Sequence, residues 1–394
     1  MTQLNSDLDV ELLSDALSGR SVDFIVTGSI GAIEAPRFIR ALRRLGAKVK
    51  PWLTQGGAKF ITSDSLAWAA NCEVQQSFSG TQTHISTGDL CIIAPATSHM
   101  IAKIAWGDTD TPASALITSY LGMNKPVYLL PTMHDSLFKA PNTKRNIDTV
   151  KTISPWVKFL DVREEEGKQK MSSPESFADQ VAQLYNHRPE KILITMGSTR
   201  GYIDDVRFVS NYSSGALGTL LSKELYRYGY QVVAISGPAQ HKPELPGLTL
   251  INVETTDQML VEVQNLTYDA AVCAASVLDY MPSTKTAGKI RSNQSQLELT
   301  LKPTPKIIDA VQPQKKIKIG FKLESEISES DLRPLYDEYT NRYGLSCFVV
   351  NKLSDVSATD HRAYIMEDSK STQMIAGKQK LAQYLTQHIH NKFN

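Results

Sequence analysis

From Val22 onward, short apolar runs alternate with segments whose apolar residues recur every three or four positions. Phe24-Ile25-Val26, Ala47 to Leu53, Cys91 to Ala96 and Val127 to Leu130 read as strands, while Phe38, Ile39, Leu42 and Leu45, closing at Gly46, mark a helix. The strand runs are apolar almost throughout, so both faces are buried and the sheet is parallel with helices on either side. A helix from Pro174 to about Tyr185 then leads to a boundary at Asn186-His187-Arg188-Pro189. Beyond it the same alternation resumes. Strands are predicted at Ile192 to Ile194 (ending at Thr195-Met196-Gly197), Gln231 to Ser236, Leu248 to Val253, Ala270 to Ala275, Lys318 to Phe321 and Cys347 to Val350. Helices are predicted at Leu217 to Tyr228, around Asp257 to Gln264, and from Gln373 to His388.

The reading is two doubly wound, Rossmann-like α/β domains, residues 1–185 and 186–394, in keeping with a length of 394 residues. Residues 159–175 (FLDVREEEGKQKMSSPE) are charged and read as an exposed flap or linker. Residues 1 to about 20, with Leu8, Val10, Leu12, Leu13 and Leu17 roughly on one side, read as a short amphipathic helix. Lys285 to Leu301, with Leu297, Leu299 and Leu301 alternating, reads as a hairpin or excursion.

Charge changes this picture little. The 42 basic and 41 acidic residues give a net charge of +1, so neither nucleic acid nor a membrane surface is the expected main partner. Any phosphate must be held locally, by loops and a few placed cations. The four cysteines are scattered without a CxxC or Cys/His cluster, which argues against a disulfide framework or a zinc site, and no protein-held metal is expected. The N-terminus is acidic with no apolar signal core, and no apolar run reaches the ~20 residues needed to cross a bilayer. The expectation is a cytoplasmic protein.

The chemistry concentrates in Ile194 to Gly218, ITMGSTRGYIDDVRFVSNYSSGALG. An apolar strand gives way to about twenty polar residues before a helical pattern resumes at Ala216-Leu217. Ligands in such sheets sit at the carboxyl ends of strands, beside helix N-termini that favour anions. SNYSSGALG places an amide, three hydroxyls and two glycines there. One serine, Ser213 or Ser214, also serves as a helix cap, but capping does not account for the whole loop. In the first domain TGSIGA (Thr27 to Ala32) is a second phosphate-contacting turn, with N–H groups from Gly28, Ser29 and Ile30; on its own it equally fits an ordinary strand–helix turn.

These residues carry a resemblance. Together with AASVLDYMP (Ala274 to Pro282), GKIRS (Gly288 to Ser292) and GFKLE (Gly320 to Glu324), the stretch resembles the phosphopantothenate–cysteine ligase domain of coenzyme A biosynthesis. The resemblance implies that a nucleotide activates a carboxylate as an acyl-nucleotide, with Mg²⁺ among the cations that offset phosphate charge, and that the amine of cysteine then displaces the nucleotide. It assigns Lys289 to transition-state charge stabilisation and Asn211 to the acyl-nucleotide during cysteine attack. Nucleotide contacts fall to Ser213, Ser214, Gly215, Ala275, Asp279, Phe321 and Lys322. CTP is the expected nucleotide. ATP is the alternative, because Phe321-Lys322-Leu323-Glu324 is similar to the ligases that prefer it. Ser292 stands where a second lysine is common, and Lys322 is the cation expected to replace it.

The first domain resembles the flavin-binding cysteine-decarboxylase family, on TGSIGA, His84-Ile85-Ser86, APATSHMIAKIAWG (Ala94 to Gly107) and PTMHDSLF (Pro131 to Phe138) followed by Pro141, Thr143 and Arg145-Asn146. The implied fold is flavodoxin-like. FMN is expected on Gly28, Ser29, Ile30, Thr54, Pro95, Ala96, Thr97 and Ser98, with His84 as the catalytic histidine and Met133 and His134 at the substrate. Two departures stand out. His134 occupies the position of the family's asparagine, and the flap, glycine-rich with a cysteine in the family, here contains no cysteine. Ligation is therefore the central expected activity. FMN-dependent decarboxylation of the product is the second, lacking the thiol that returns a proton and electrons. Homo-oligomeric assembly through both domains is implied. The alternative reading is a recruited ligase, or a scaffold that binds flavin and nucleotide.

Overall fold

The computed structural model describes residues 7–78, 87–165, 168–292, 295–355, 361–367 and 371–394. The chain divides into two compact units, Met1–Asn186 and His187–Asn394. In the first, β1 (Ser21–Val26), β2 (Lys48–Leu53), β3 (Leu90–Ala96), β4 (Val127–Pro131) and β5 (Val157–Phe159) form a sheet in the order β2-β1-β3-β4-β5. Every pairing in it is parallel. Its helices are α1 (Ala35–Arg44), α2 (Ser63–Ala70), α3 (Ser98–Trp106), α4 (Pro112–Gly122), α5 (Asp135–Lys139), α6 (Pro141–Ile153) and α7 (Pro174–Asn186).

Strand side chains alternate between two cores. Phe24 and Val26 join Phe38, Leu66 and Phe177 from α1, α2 and α7, while Ile25 joins Ile101, Leu116 and Val150 from α3, α4 and α6. Asp23 lies on the second face, buried, and its carboxylate accepts from Trp52 Nε1 at 2.8 Å and Tyr120 OH at 2.7 Å. That pairing is what makes a carboxylate tolerable there. In the flap, β6 (Arg163–Glu165) pairs antiparallel with β7 (Lys168–Lys170).

In the second unit, β8 (Lys191–Met196) is followed by a small hairpin, β9 (Arg200–Tyr202) with β10 (Phe208–Ser210). β11 (Gln231–Ser236), β12 (Thr249–Asn252) and β13 (Ala270–Cys273) precede a second short pair, β14 (Tyr280–Pro282) with β15 (Leu301–Pro303). β16 (Ile317–Glu324), β17 (Cys347–Lys352), β18 (Arg362–Met366) and β19 (Gln373–Ala376) complete the set. The large sheet runs β12-β11-β8-β13-β16-β17-β18-β19. Its first six strands are parallel, and the last two pairings, β17 with β18 and β18 with β19, are antiparallel. The helices are α8 (Ala216–Arg227), α9 (Thr256–Asn265), α10 (Ile307–Ala310), α11 (Glu329–Tyr343) and α12 (Lys378–Phe393).

Two expectations need correction, and a third is narrowed. Residues 7–20 form no helix; Leu13 and Ser14 N–H groups donate to Arg44 O, Leu17 N–H donates to Leu45 O, and the Arg40 and Arg43 guanidiniums hold the carbonyls of residues 7–9. Bonding to the open end of α1 replaces the internal bonds a helix would need. The terminal helix begins at Lys378 rather than Gln373, because Gln373–Ala376 extends as β19 to pair with β18. Of the two forms expected for Lys285 to Leu301, the described residues take the excursion: β14 and β15 pair at its base, and Leu297 and Leu299 are exposed despite their alternation.

The loop after β8 is also more ordered than its composition implies. Asp204 caps the β9–β10 turn: its fully buried carboxylate accepts from the N–H groups of Val206 (2.8 Å), Arg207 (2.6 Å) and Ile290 (3.1 Å) and from the Arg207 guanidinium (2.7 Å). Asp205 takes the Lys285 ammonium at 2.6 Å and the Gly288 N–H at 2.8 Å. Two consecutive carboxylates thus clamp the excursion that carries GKIRS.

Burial pushes the Asp204 carboxyl up, but the hydrogen bonds to the Arg207, Val206 and Ile290 N–H groups and the Arg207 charge outweigh it, bringing it from 3.8 to about 2. A folded value below the ordinary one means the clamp's contribution is whole above 3.8 and is lost as pH falls from 3.8 toward about 2. Hydrogen exchange at the Ile290 amide should accelerate across that window, beyond its intrinsic pH dependence. Asp204→Asn should show the loosened exchange already at neutral pH. Wild-type protection of Ile290 in that variant would remove the clamp from consideration.

Candidate active sites at the two switch points

In the first unit the strand order reverses between β1 and β3, and a crevice at such a point collects ligands. Thr27, at the end of β1, is buried and donates to Pro95 O at 2.7 Å, with Thr97 Oγ1 at 3.3 Å. That hydroxyl ties the two loops flanking the crevice. The Gly28 backbone lies against Gly56: a Cβ added at Gly28 would fall 2.9 Å from the Gly56 carbonyl carbon. Ser29 caps the following turn by accepting the Gly31 N–H at 3.2 Å, which leaves its own hydroxyl proton to donate. Ile30 is 67% exposed beside it. Thr54 is turned to the chain, donating to Val26 O and accepting from Gly57 N–H. Thr97 caps α3, which begins at Ser98, and Ala96 O accepts from Thr132 N–H.

Gly28, Ser29, Ile30, Thr54, Pro95, Ala96, Thr97 and Ser98 therefore gather on one edge of one sheet. The donor set is neutral: backbone N–H groups, hydroxyls and exposed aliphatic surface. It fits a phosphate monoester with an attached flat apolar ring, as in a flavin mononucleotide. Met133 is half-buried against the α3–α6 core. His134 is exposed and caps α5, its Nδ1 3.0 Å from Ser136 Oγ and accepting the Ser136 N–H at 3.3 Å. An imidazole thus performs a cap that an amide also performs, and Nε2 is left outward. Met171, at the foot of the flap, packs over Gly31 beside Thr132 and Pro95. His84 lies outside the described residues. A concavity lined by Lys139, Lys144, Arg145 and Asp148 on α5 and α6 contains none of the turn residues.

In the second unit the order reverses between β8 and β13. Gly197 turns with φ +74° against Gly237, and a Cβ on Gly237 would fall 1.6 Å from Ser198 O. Thr199 is fully buried, its hydroxyl accepting from Thr256 Oγ1 and from Leu278 N–H, both at 3.0 Å. The loops after β8 and β13 are bonded directly, Ser276 N–H to Gly197 O at 2.8 Å. Asn211 reaches across the same gap and donates Nδ2 to Val277 O at 3.0 Å, fixing its amide oxygen.

Ser214 O accepts from His241 N–H, and Gly215 turns with φ +76° so close to His241 O that a Cβ would lie 2.5 Å away. Gly218 packs on Met196 in the same way, seating the N-terminus of α8 at the end of β8. Ser213 lines a cleft of about 630 Å³ with Arg200, Pro238, Lys242 and Glu254.

Opposite these, Ala275 is half-buried after β13, and Asp279 is exposed and paired with Lys306. Cys273 pairs with Gly320, which brings Phe321 level with Ala274. Lys322 Nζ lies 3.6 Å from Glu324 and 5.8 Å from the Tyr339 ring centroid. Burial lowers its pKa, but Tyr339, Glu324 and Asp279 more than offset that, so the ammonium stays charged. Lys289 sits on the clamped excursion, exposed, with no hydrogen bond or ion pair to the other site residues among those described. Thr199, Asp204, Asp205, Arg207, Gly237 and Lys306 escaped the sequence reading. Only the acidic pair followed by Arg207 offered a signal.

Comparison with known proteins bears on both units. Residues 12–186 match the flavoprotein family model, and residues 187–393 match the DNA/pantothenate metabolism flavoprotein C-terminal domain. The coenzyme A biosynthesis bifunctional protein of Thermococcus kodakarensis is 31% identical over 371 residues, 90% of each chain. That of Methanocaldococcus jannaschii is 29% identical over 389 residues, 95% of this chain and 94% of that one. A cysteine/cysteine sulfinic acid decarboxylase of an unknown prokaryotic organism is 31% identical over 303 residues, 70% of this chain and 80% of that one. The chain belongs to the coenzyme A biosynthesis bifunctional protein family, enzymes that join a flavoprotein decarboxylase domain to a ligase domain in one polypeptide.

Proposed function

We propose that the second unit joins 4′-phosphopantothenate to cysteine at the expense of CTP, and that the first unit holds FMN and decarboxylates the product. The observation that carries the ligase reading is the Asn211–Val277 bond, which holds the amide at the junction of the two halves of the site. Substrate carboxylate attacks the α-phosphate, a P–O bond to pyrophosphate breaks, and pyrophosphate leaves. The cysteine amine then forms the amide bond as the nucleotide monophosphate departs and the amine loses its proton.

Each residue has a role in that sequence. Lys289, exposed on a rigidly tethered excursion, brings a positive charge to the phosphates where charge develops. Ser213, Ser214 and Gly215 offer hydroxyls and backbone at the N-terminus of α8. Asn211 orients the acyl-nucleotide toward cysteine. Ala275, Asp279 and Phe321 contact the nucleotide, and Lys322 is the charged group on their side. Mg²⁺ accompanies the nucleotide phosphates. ATP is the competing nucleotide.

In the first unit, Gly28, Ser29 and Ile30 hold the FMN phosphate, with Thr54 fixing the neighbouring loop and Pro95, Ala96, Thr97 and Ser98 supporting the ring. FMN held there would supply two-electron chemistry at the cysteinyl carbon–sulfur centre, taking electrons before CO₂ leaves and returning them afterwards, so that the net decarboxylation is redox-neutral. His84 handles a proton there. Met133 and His134 face the substrate, with the outward Nε2 of His134 able to donate to its carboxylate in place of an amide. Homo-oligomeric assembly through both units completes the reading.

The reading is tested by single turnover with 4′-phosphopantothenate, cysteine, Mg²⁺ and either CTP or ATP, with products resolved by mass. Phosphopantothenoylcysteine and its decarboxylated derivative are expected with CTP. Absence of both with either nucleotide refutes it. Lys289→Ala should lower ligase kcat by ~10²–10³-fold with little change in KM for cysteine; near-normal turnover would remove the lysine from the chemistry. Gly28→Ala places a methyl against the Gly56 backbone and should abolish stoichiometric flavin while ligation continues at its normal rate. Retained flavin absorbance in that variant would place the cofactor elsewhere.

A further inference from the structure

The parallel strands of the second unit present their carboxyl ends to the ligase site. At the other end, where β17 begins, lies a cluster that the ligase chemistry does not use. Cys347 opens β17 and is fully buried. The register pairs Phe348 with Met366, so Glu367, the residue after β18, comes alongside Cys347. His388, on α12, closes the group.

One donor atom from each of these three residues lies within 4.8 Å of the other two. His388 Nδ1 is 2.8 Å from Glu367 Oε1, which also accepts from Tyr384 OH at 2.9 Å. The His388 side chain is 2% exposed, so the Nδ1 that faces Glu367 is shielded from water.

We propose that Cys347, Glu367 and His388 bind a divalent transition-metal ion of the zinc class. A sulfur, nitrogen and oxygen donor set suits zinc and its cobalt surrogate and is unsuited to Mg²⁺ or Ca²⁺, which take oxygen ligands. A water completes four-coordination on the side where Glu367 is 36% exposed. Binding forms a metal–sulfur bond and releases one thiol proton per ion.

The ion would join α12 to the β17–β18 edge. Leu381, Leu385 and Ile389 already bury the same helix, so the metal is a structural staple. It is distinct from the Mg²⁺ that accompanies the nucleotide at the opposite edge.

The test uses the full-length chain, stripped with chelator and titrated with Co²⁺. A thiolate-to-cobalt charge-transfer band should saturate at one equivalent, be displaced by Zn²⁺, and vanish in Cys347→Ser and His388→Gln. Zn²⁺ should also raise the unfolding midpoint of the stripped chain. Glu367→Gln, at a partly exposed position that leaves the core intact, should weaken Co²⁺ binding by ~10-fold or more while ligase turnover stays unchanged. Three outcomes would overturn the assignment: no band in the wild-type chain, a band that survives Cys347→Ser at full intensity and so belongs to another thiol, or wild-type affinity in Glu367→Gln.

Discussion

Backbone passing against backbone is the constraint on which the ligase unit is built. The loops leaving β8 and β11 cross so closely at Gly197, Ser198 and Gly237 that one added methyl would sit 1.6 Å from a carbonyl oxygen. That contact fixes the height of both loops above the sheet. The Ser276–Gly197 bond and the Thr199 hydroxyl then register the loop after β13 against them. Asn211 hangs from this frame through Val277 O. The amide is therefore positioned by main-chain packing several residues away, a more rigid arrangement than a loop side chain held by its own rotamer preference.

The flavoprotein unit solves the same problem with the same means. Gly28 lies against Gly56, and Thr27 fastens the first loop to Pro95 across the switch point. Beneath that edge, Asp23 draws Trp52 and Tyr120 together in the core. A buried carboxylate with two donors is costly to disrupt, since losing it would leave two polar groups unpaired. In both units, then, small residues and main-chain contacts shape the ligand edge while larger side chains seal the layers below.

Charge is handled locally, as a nearly neutral chain requires. Lys289 has no carboxylate of its own among the described residues, whereas its neighbour Lys285 is tied to Asp205 and the loop backbone to Asp204. One lysine anchors the loop and the other stays exposed. Lys322 differs again, kept charged by Tyr339, Glu324 and Asp279. The three cations are not interchangeable: GKIRS and GFKLE single out Lys289 and Lys322 in the sequence, whereas the anchoring role of Lys285 shows only in the fold.

The sequence by itself determined the alternation of buried strands and helices, the break near residue 186, and the motif order that marks two ligand-binding edges. Those properties are local: a run of apolar residues, a glycine turn or a capping serine carries its meaning within a few positions. It misread residues 7–20 and 373–376 because each forms its hydrogen bonds with a partner element, α1 or β18, that no local periodicity encodes. Tertiary structure alone decided that Asp204 and Asp205 clamp a segment some 80 residues on, and that Cys347, Glu367 and His388 meet. Such contacts depend on strand order and register, which bring distant residues within bonding distance only after the sheet has formed.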